Sequence, residues 1–398
     1  MKNIVITSGT LLMGGIERVL IEVLQNLDKE KYKIFLIIER DHGKGNVFLE
    51  QIPKEIKLYF LKPESLIEKA EYYRIRKKNI FYKLLYNIQM KKEKKIGNKN
   101  LFLYLKEIEE KYGKIDTFID FNCGQNKVIR KINIPNKLAW IHISMPKLLK
   151  SKNKLFRFGL RLKGYDKIVT ICDEMAEEMK ELYPYLKDKI VRVYNPFNFE
   201  RIILLSKDYS ELNEKERILI KDDYILAVSR LDLGSKDYTT LIAAYKEAMK
   251  QGVKEKLYIV GGGPHKKEIE QMIKLNDLDE KVILIGEKKN PYVWMKNCKL
   301  FVHSSTAEGF GLVLVEAMCC EQVVLASDCP VGPKEILNKN NCGVLFKTKD
   351  TDDLVKKLVY LLLKENLEKY KERIKDRIKE FSTEEVMKEY EKIIDNDK

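Results

Sequence analysis

Two series of short apolar runs, each run followed by a loop and usually a stretch with helical periodicity, constrain this chain more than any other feature. In the first series "NIVITS" (3–8), "KIFLII" (33–38), "IKLYFL" (56–61), "DTFIDF" (116–121), "KLAWIHI" (137–143), "KIVTIC" (167–172) and "IVRVYN" (190–195) read as strands. Amphipathic segments such as "GIERVLIEVLQNL" lie between several of them. Strand and helix in alternation predict a parallel sheet with helices on its faces. A second series follows Asn195-Pro196: "YILAVSR" (224–230), "KLYIVG" (256–261), "VILIG" (282–286), "LFVHSS" (300–305), "VVLASD" (323–328) and "GVLF" (343–346). The expected class is therefore α/β, with two doubly wound Rossmann-like domains facing each other across a cleft. Their expected spans are 1–196 and 197–382, divided where proline and a turn interrupt the pattern. Ser382, with Glu385 three residues later, is a capping-box signature for a final helix at about 383–398, expected to pack back on the first domain.

A chain of 398 residues with 44% hydrophobic content and no low-complexity segment is long enough to bury two cores. The formal charge of +15 points to anionic partners without choosing among nucleic acid, membrane and phosphorylated substrates. Cys123, Cys172, Cys298, Cys319, Cys320, Cys329 and Cys342 are odd in number and lack CxxC spacing, which fits a reducing compartment better than a disulfide framework. No apolar run approaches the roughly 20 residues that span a bilayer. The start "MKNIVITSGTLLMGG" runs directly into a strand pattern without a cleavage signal.

Ligands in doubly wound sheets bind beyond the carboxyl ends of strands, so the residues there carry the functional reading. Arg230 ends one predicted strand and Lys236 is expected to open the next helix, so that two cations converge on one anion such as a diphosphate. "VGGGPHKKEIE" (260–270) joins a strand to a helix through glycines, but Lys266 stands where the third glycine of a dinucleotide fingerprint belongs; close helix packing is the expected use of these glycines. Gly14-Gly15 leave backbone amides open at the start of a helix, an approach for an anion. His142 ends an apolar strand, where it serves either a substrate hydroxyl or the core.

"AEGFGLVLVEAM" (307–318) is more pointed, because Glu308 and Glu316 stand in apolar or glycine-rich surroundings with no cation beside them in sequence. If the helix begins early, eight residues place Glu316 about 80° round from Glu308, so both face one ligand. A ribose diol can donate both hydroxyls to one carboxylate, and the alternative is an ion pair with a lysine or arginine elsewhere. No strand-terminal DxD is present to hold a divalent ion, so no metal is expected.

With these residues in place, the whole chain resembles the retaining nucleotide-sugar glycosyltransferases called family 4 or group 1, which have the GT-B fold. The resemblance rests on the GG loop with Glu17-Arg18, "WIH", "VYNPF", "SRL" with Lys236, "GGGP", and above all EGFG followed by Glu316. It implies that Arg230 and Lys236 hold the donor diphosphate, that Glu316 holds the ribose, and that Glu308 holds donor-sugar hydroxyls. Gly309, Phe310, Gly311 and Leu312 would line the donor, the last three through backbone amides; Gly14 and Gly15 would approach from the acceptor-side domain; and His142 would lie beside the sugar. Glu287, Pro291 and Tyr292 would contact the base. Arg230, Lys236, Glu308 and His142 are then the catalytic candidates, with no cofactor and no metal. Many members have Lys-Gly where this chain has Lys236-Asp237, and "WIHIS" lacks the aspartate often found after the histidine.

"SDCPVGPKEIL" (327–337) is similar to the subgroup that builds lipid-linked oligosaccharide, lipopolysaccharide or capsule, which implies a UDP-hexose or UDP-N-acetylhexosamine donor. The mixed basic and aromatic segments 72–100 and 147–165 suit an anionic membrane surface, so a peripheral position on the cytoplasmic face is expected, with no nucleic-acid partner. A same-fold sugar-nucleotide epimerase, which would interconvert its substrate without an acceptor, is the first alternative. A basic nucleic-acid-binding protein, marked by salt-sensitive RNA or DNA binding, is the second.

Overall fold

Each predicted apolar run becomes a strand in the computed structural model, which describes residues 1–362 and 364–396. Among these residues the first series forms a seven-stranded sheet of β1 (Lys2–Ser8), β2 (Tyr32–Arg40), β3 (Lys57–Lys62), β4 (Thr117–Asp120), β5 (Asn136–Ile141), β6 (Lys167–Thr170) and β7 (Ile190–Arg192), in the order β3-β2-β1-β4-β5-β6-β7. The second series forms a six-stranded sheet of β8 (Tyr224–Val228), β9 (Lys256–Val260), β10 (Val282–Gly286), β11 (Leu300–His303), β12 (Val324–Ser327) and β13 (Val344–Phe346), in the order β10-β9-β8-β11-β12-β13. Every pairing is parallel. Helices cover both faces of such a sheet, which is why the central strands are apolar throughout rather than alternating. The chain divides into two units, Met1–Pro196 with Val386–Lys398, and Phe197–Glu385.

In both sheets the strand order reverses, between β1 and β4 and between β8 and β11, and the loops leaving those carboxyl ends are where such folds bind ligands. The first unit adds α1 (Gly15–Asn26), which buries Val19, Leu20, Val23 and Leu24 at helical spacing, then α2 (Glu64–Arg76) and α3 (Ile80–Tyr112). The Asn79 side chain caps α3 by accepting from the Phe81 amide, and Gly113, at φ +90°, lets the chain leave it. In the helix Thr383–Asp395, Ser382 Oγ accepts from the Glu385 amide at 3.2 Å. Its Tyr390 ring stacks 4.9 Å from Trp140, and its Asp395 takes Lys2 Nζ at 2.8 Å and Lys31 Nζ at 2.6 Å.

Candidate active site

The site in the second unit is assembled by joining two loops that lie far apart in sequence. After β8 the chain runs through Arg230 to Asp237; after β11 it runs from Ser304 to Gly311. The Asp237 amide donates to Ser304 O at 3.0 Å and the Thr306 amide to Ser235 O at 2.8 Å, with Lys236 and Ser305 forming an isolated antiparallel bridge between them. Lys236 therefore does not open a helix, as the sequence suggested. The helix Tyr238–Lys250 starts after Asp237, whose Oδ1 accepts from the Thr240 amide at 3.1 Å. An N-capping carboxylate at this position accounts for the departure from Lys-Gly.

The glycines of "GGGP" also act differently from expectation. A Cβ at Gly261, where φ is +148°, would lie 2.0 Å from Ser229 O, and one at Gly263 would lie 2.4 Å from Leu231 O. Their missing side chains let this loop press against the backbone around Arg230, and the Leu231 amide donates to Gly262 O at 2.9 Å. The close contact is with a loop, not with a helix.

Glu308 is the centre of the cluster. Its Oε1 accepts from Ser305 Oγ at 2.6 Å, contacts His303 Nε2 at 2.8 Å, and forms an ion pair with Lys236 Nζ. Burial resists ionisation of this carboxyl, but the hydrogen bond from His303 and the Lys236 ammonium outweigh it and hold the group well below the usual carboxylate range. His303, 2% exposed, is itself pushed below its ordinary value by burial, against the opposing pull of Glu308. A neutral His303 donating from Nε2 satisfies both directions. The carboxylate expected to depend on a sugar is thus already satisfied within the chain.

The helix Leu312–Cys319 begins only after Gly311, at φ +93°, so Glu308 precedes the helix and the angular relation expected between Glu308 and Glu316 does not apply. Phe310 is buried with its ring 5.8 Å from Phe381. A Cβ at Gly332 would meet Phe310 O at 1.9 Å, so only a glycine lets the chain pack against the Phe310 backbone there. Gly309 is half-buried between Glu308 and Phe310. Glu316, half-buried on the helix, accepts from Tyr292 Oη at 3.3 Å. Pro291 occupies the N-cap position of the helix Tyr292–Asn297, whose first residue is Tyr292. Glu287 is exposed after β10, with a carboxylate oxygen 2.9 Å from where a Gly262 Cβ would stand. Arg230 is exposed and takes no part in the Lys236–Glu308 cluster.

The first unit holds the remaining candidates. Gly14 precedes α1 in an extended conformation, and a Cβ there would lie 2.3 Å from Glu17 Oε2. The other oxygen of Glu17 accepts from Thr10 Oγ1 at 2.6 Å. The helix start expected to meet an anion at Gly14-Gly15 therefore already faces a carboxylate of its own chain. His142 follows β5, buried, with its ring 4.8 Å from that of Phe121. Burial lowers its pKa to about 4, so the ring is neutral at physiological pH, and its Nε2 has no hydrogen-bond partner. A cavity of about 130 Å³ lined by Glu39, Lys62, Lys94, Gln125 and Lys127 lies at the carboxyl ends of β2, β3 and β4.

His303, Ser305 and Asp237 were not among the sequence candidates for the site. The signal that could have found the first two was their position at the end of a strand, five and three residues before Glu308. Among the described residues no three His, Cys, Asp or Glu side chains gather in a metal-binding arrangement. No helix there is long and apolar enough to cross a membrane.

Residues 208–381 match the family described as glycosyl transferases group 1. The N-acetylgalactosamine-N,N'-diacetylbacillosaminyl-diphospho-undecaprenol 4-alpha-N-acetylgalactosaminyltransferase of Campylobacter jejuni is 35% identical over 177 residues, 44% of this chain and 47% of that relative. A second Campylobacter jejuni relative, the GalNAc-alpha-(1->4)-GalNAc-alpha-(1->3)-diNAcBac-PP-undecaprenol alpha-1,4-N-acetyl-D-galactosaminyltransferase, is 25% identical over 93% of this chain and 91% of its own length. The stronger sequence matches span about half the length of the relatives concerned, 47% and 53% for two of them. In fold, the chain is similar to Anabaena Alr3699/HepE in complex with UDP and glucose, with a TM-score of 0.74, 17% identity and full coverage of both chains. It is also similar to Staphylococcus aureus TarM, with a TM-score of 0.73, 16% identity and 99% of each chain covered.

Proposed function

We propose, from the premise that residues 208–381 belong to the glycosyl transferases group 1 on a chain with the GT-B fold, that this protein transfers a sugar from a nucleotide-sugar to a lipid-linked glycan. The observation that carries the reading is the Lys236–Glu308 pair, held where the β8 and β11 loops meet at the reversal of strand order. Arg230 stands on the β8 loop with its charge exposed, so an arriving diphosphate finds one free cation and one that can leave its carboxylate partner. Glu308, released from Lys236, keeps Ser305 and His303 as donors and turns its remaining acceptor capacity to donor-sugar hydroxyls.

In this reading Glu316 takes the ribose diol, and Glu287, Pro291 and Tyr292 frame the base. Phe310, Gly311 and Leu312 present backbone amides, with Gly309 leaving the approach open. His142, neutral with an unpartnered Nε2, accepts from a sugar hydroxyl, and Gly14 and Gly15 contribute backbone at α1. The acceptor hydroxyl forms its bond to the anomeric carbon as the bond to the diphosphate breaks, on the same face, and its proton leaves on the departing phosphate oxygen. Arg230 and Lys236 stabilise the charge that develops there, in the role a divalent ion would otherwise take. The relatives' names support an N-acetylhexosamine donor and an undecaprenyl-diphosphate-linked acceptor. The acceptor's lipid would place the reaction at the cytoplasmic face of a membrane.

The test is a thermal-shift panel of nucleoside diphosphates and UDP-sugars, followed by transfer assays on diphospho-undecaprenol glycans with and without EDTA. Stabilisation by UDP and EDTA-resistant transfer with retained anomeric configuration are expected. Interconversion of the UDP-sugar without acceptor would replace this reading by an epimerase; absence of nucleotide binding would end it.

A further inference from the structure

The hairpin of α2 and α3 carries a surface that the proposed reaction does not use. The α3 residues Gln89, Glu93, Gly97, Leu101, Leu105 and Ile108 form the buried line along which that helix meets its own domain. Before Gln89 no residue of α3 is buried. Instead Ile80, Phe81, Leu84 and Ile88 stand 85%, 59%, 58% and 54% exposed, recurring at helical spacing on a different face. A stripe of large apolar side chains left in water on a helix marks a contact surface.

Its chemistry identifies the partner. Between Glu71 and Glu93 the chain has no acidic residue, while Arg76, Lys77, Lys78, Lys83, Lys91 and Lys92 lie in the same segment as the stripe; Arg74 is paired with Glu71. At 1.5 Å per residue, Lys91 lies about 15 Å along the helix from Phe81, so apolar tip and basic collar succeed one another along α3. The turn between the helices is also ordered by its own aromatic packing. Tyr72 lies 5.7 Å from Tyr73 and 6.1 Å from Tyr82, with the Arg76 guanidinium 3.8 Å from the Tyr72 ring. The apolar side chains are therefore presented by a preformed tip rather than by a loose loop.

We propose that the α2–α3 hairpin is a membrane anchor that inserts Ile80, Phe81, Leu84 and Ile88 at the headgroup boundary of an anionic bilayer, with the surrounding lysines and arginines on the lipid phosphates. Apolar insertion and charge attraction act together in such surfaces, and neither alone gives stable binding. The inference stands on the hairpin itself, and its test uses neither donor nor acceptor, so its failure leaves the proposed transfer reaction standing and the reverse also holds.

The full chain is sedimented with vesicles of phosphatidylglycerol and phosphatidylcholine, and with phosphatidylcholine alone. Binding to the anionic vesicles at least about tenfold tighter than to the neutral ones is expected, weakened by salt. Phe81→Ser with Leu84→Ser should reduce it about tenfold or more. Lys77→Gln with Lys78→Gln, in the exposed turn, should reduce it roughly tenfold and most strongly at low salt. Neither pair removes a buried group, and unchanged thermal unfolding checks that the fold is kept. Wild-type protein that ignores anionic vesicles, variants that bind as wild type does, or a self-associated chain that the Phe81/Leu84 variant dissociates without any lipid binding would each overturn the proposal.

Discussion

Asp120 and Glu308 are carboxylates at corresponding places in the two domains, one fully buried at the end of β4 and the other 13% exposed in the loop after β11, each at a strand where the order reverses. Their partners differ in kind. Asp120 accepts only from neutral donors, Tyr165 Oη, Thr7 Oγ1 and the Gln125 amide. Burial dominates there, and even against those bonds the pKa rises to about 6. Glu308 has the Lys236 ammonium, and its pKa falls. The same carboxylate chemistry is thus a fixed knot in one domain and half of a separable ion pair in the other. The second arrangement suits the proposed donor site, because there Lys236 would exchange Glu308 for a phosphate.

The largest effect should come from breaking the ion pair. Lys236→Ala removes a cation proposed to stabilise the departing phosphate and is expected to lower kcat about 10²- to 10³-fold. It also leaves the half-buried Glu308 with neutral donors only, which costs at most about 3–5 kcal/mol and makes Glu308 resemble Asp120. Adding Glu308→Gln in that background should restore much of the thermal stability and none of the activity. Steady-state transfer kinetics and thermal unfolding on the two variants separate these effects; a Lys236→Ala protein as stable as wild type would show that the pair is not the electrostatic centre described.

The sequence made this comparison only partly visible. All thirteen strands were legible, because strands covered on both faces are continuous apolar runs whose pattern depends on nothing distant. Glu308 and Lys236 were legible as residues, through their spacing from strands and glycines. Their pairing was not, because it depends on a bridge between Lys236 and Ser305 that joins loops many residues apart. The same limit hid His303 as a donor and placed Lys236 wrongly in a helix. Asp120 carried no signal at all: its partner Tyr165 comes from the far side of β5, and an aspartate ending an apolar strand looks like any strand terminus. Glu316 was read as alone because its contact, Tyr292, sits on another helix.

A smaller effect tests the other half of the comparison. Since the folded pKa of Asp120 lies above the model-peptide value of about 3.9, folding favours its protonated form. The stability this contributes is fully present below about pH 4 and is lost as pH rises through about 6. Over that window the change is about 3 kcal/mol. Asp120→Asn should remove this slope, so the variant gains on wild type between pH 4 and pH 7 when urea unfolding is followed at each pH. Glu308 works in the opposite sense: its contribution is present above its unfolded pKa and is lost as pH falls below it. A wild-type protein whose first domain shows no such slope would mean that Asp120 is not held protonated by burial.

The smallest effect concerns Asp237, which links the two loops of the ion pair to the helix behind them. Its Oδ1 caps the helix Tyr238–Lys250, while its Oδ2 is buried without a hydrogen-bond partner. Removing the cap in Asp237→Ala costs about 1 kcal/mol, and removing the unsatisfied oxygen returns part of that, so a Tm lower by roughly 1–3 °C is expected. Asp237→Asn keeps the cap with no charge to bury and should match wild type or exceed it slightly. Asp237→Gly should fall between them, because glycine is nearly as good an N-cap as the polar residues. The effect on catalysis discriminates more sharply than the Tm. The backbone bonds from Asp237 to Ser304 and from Thr306 to Ser235 do not involve the side chain, so they should hold Lys236 against Glu308 in all three variants. Transfer rates within about twofold of wild type are expected. A large loss in the alanine and glycine variants alike, with the asparagine variant unaffected, would show that the capping side chain, and not the backbone bridge, fixes Lys236 in place.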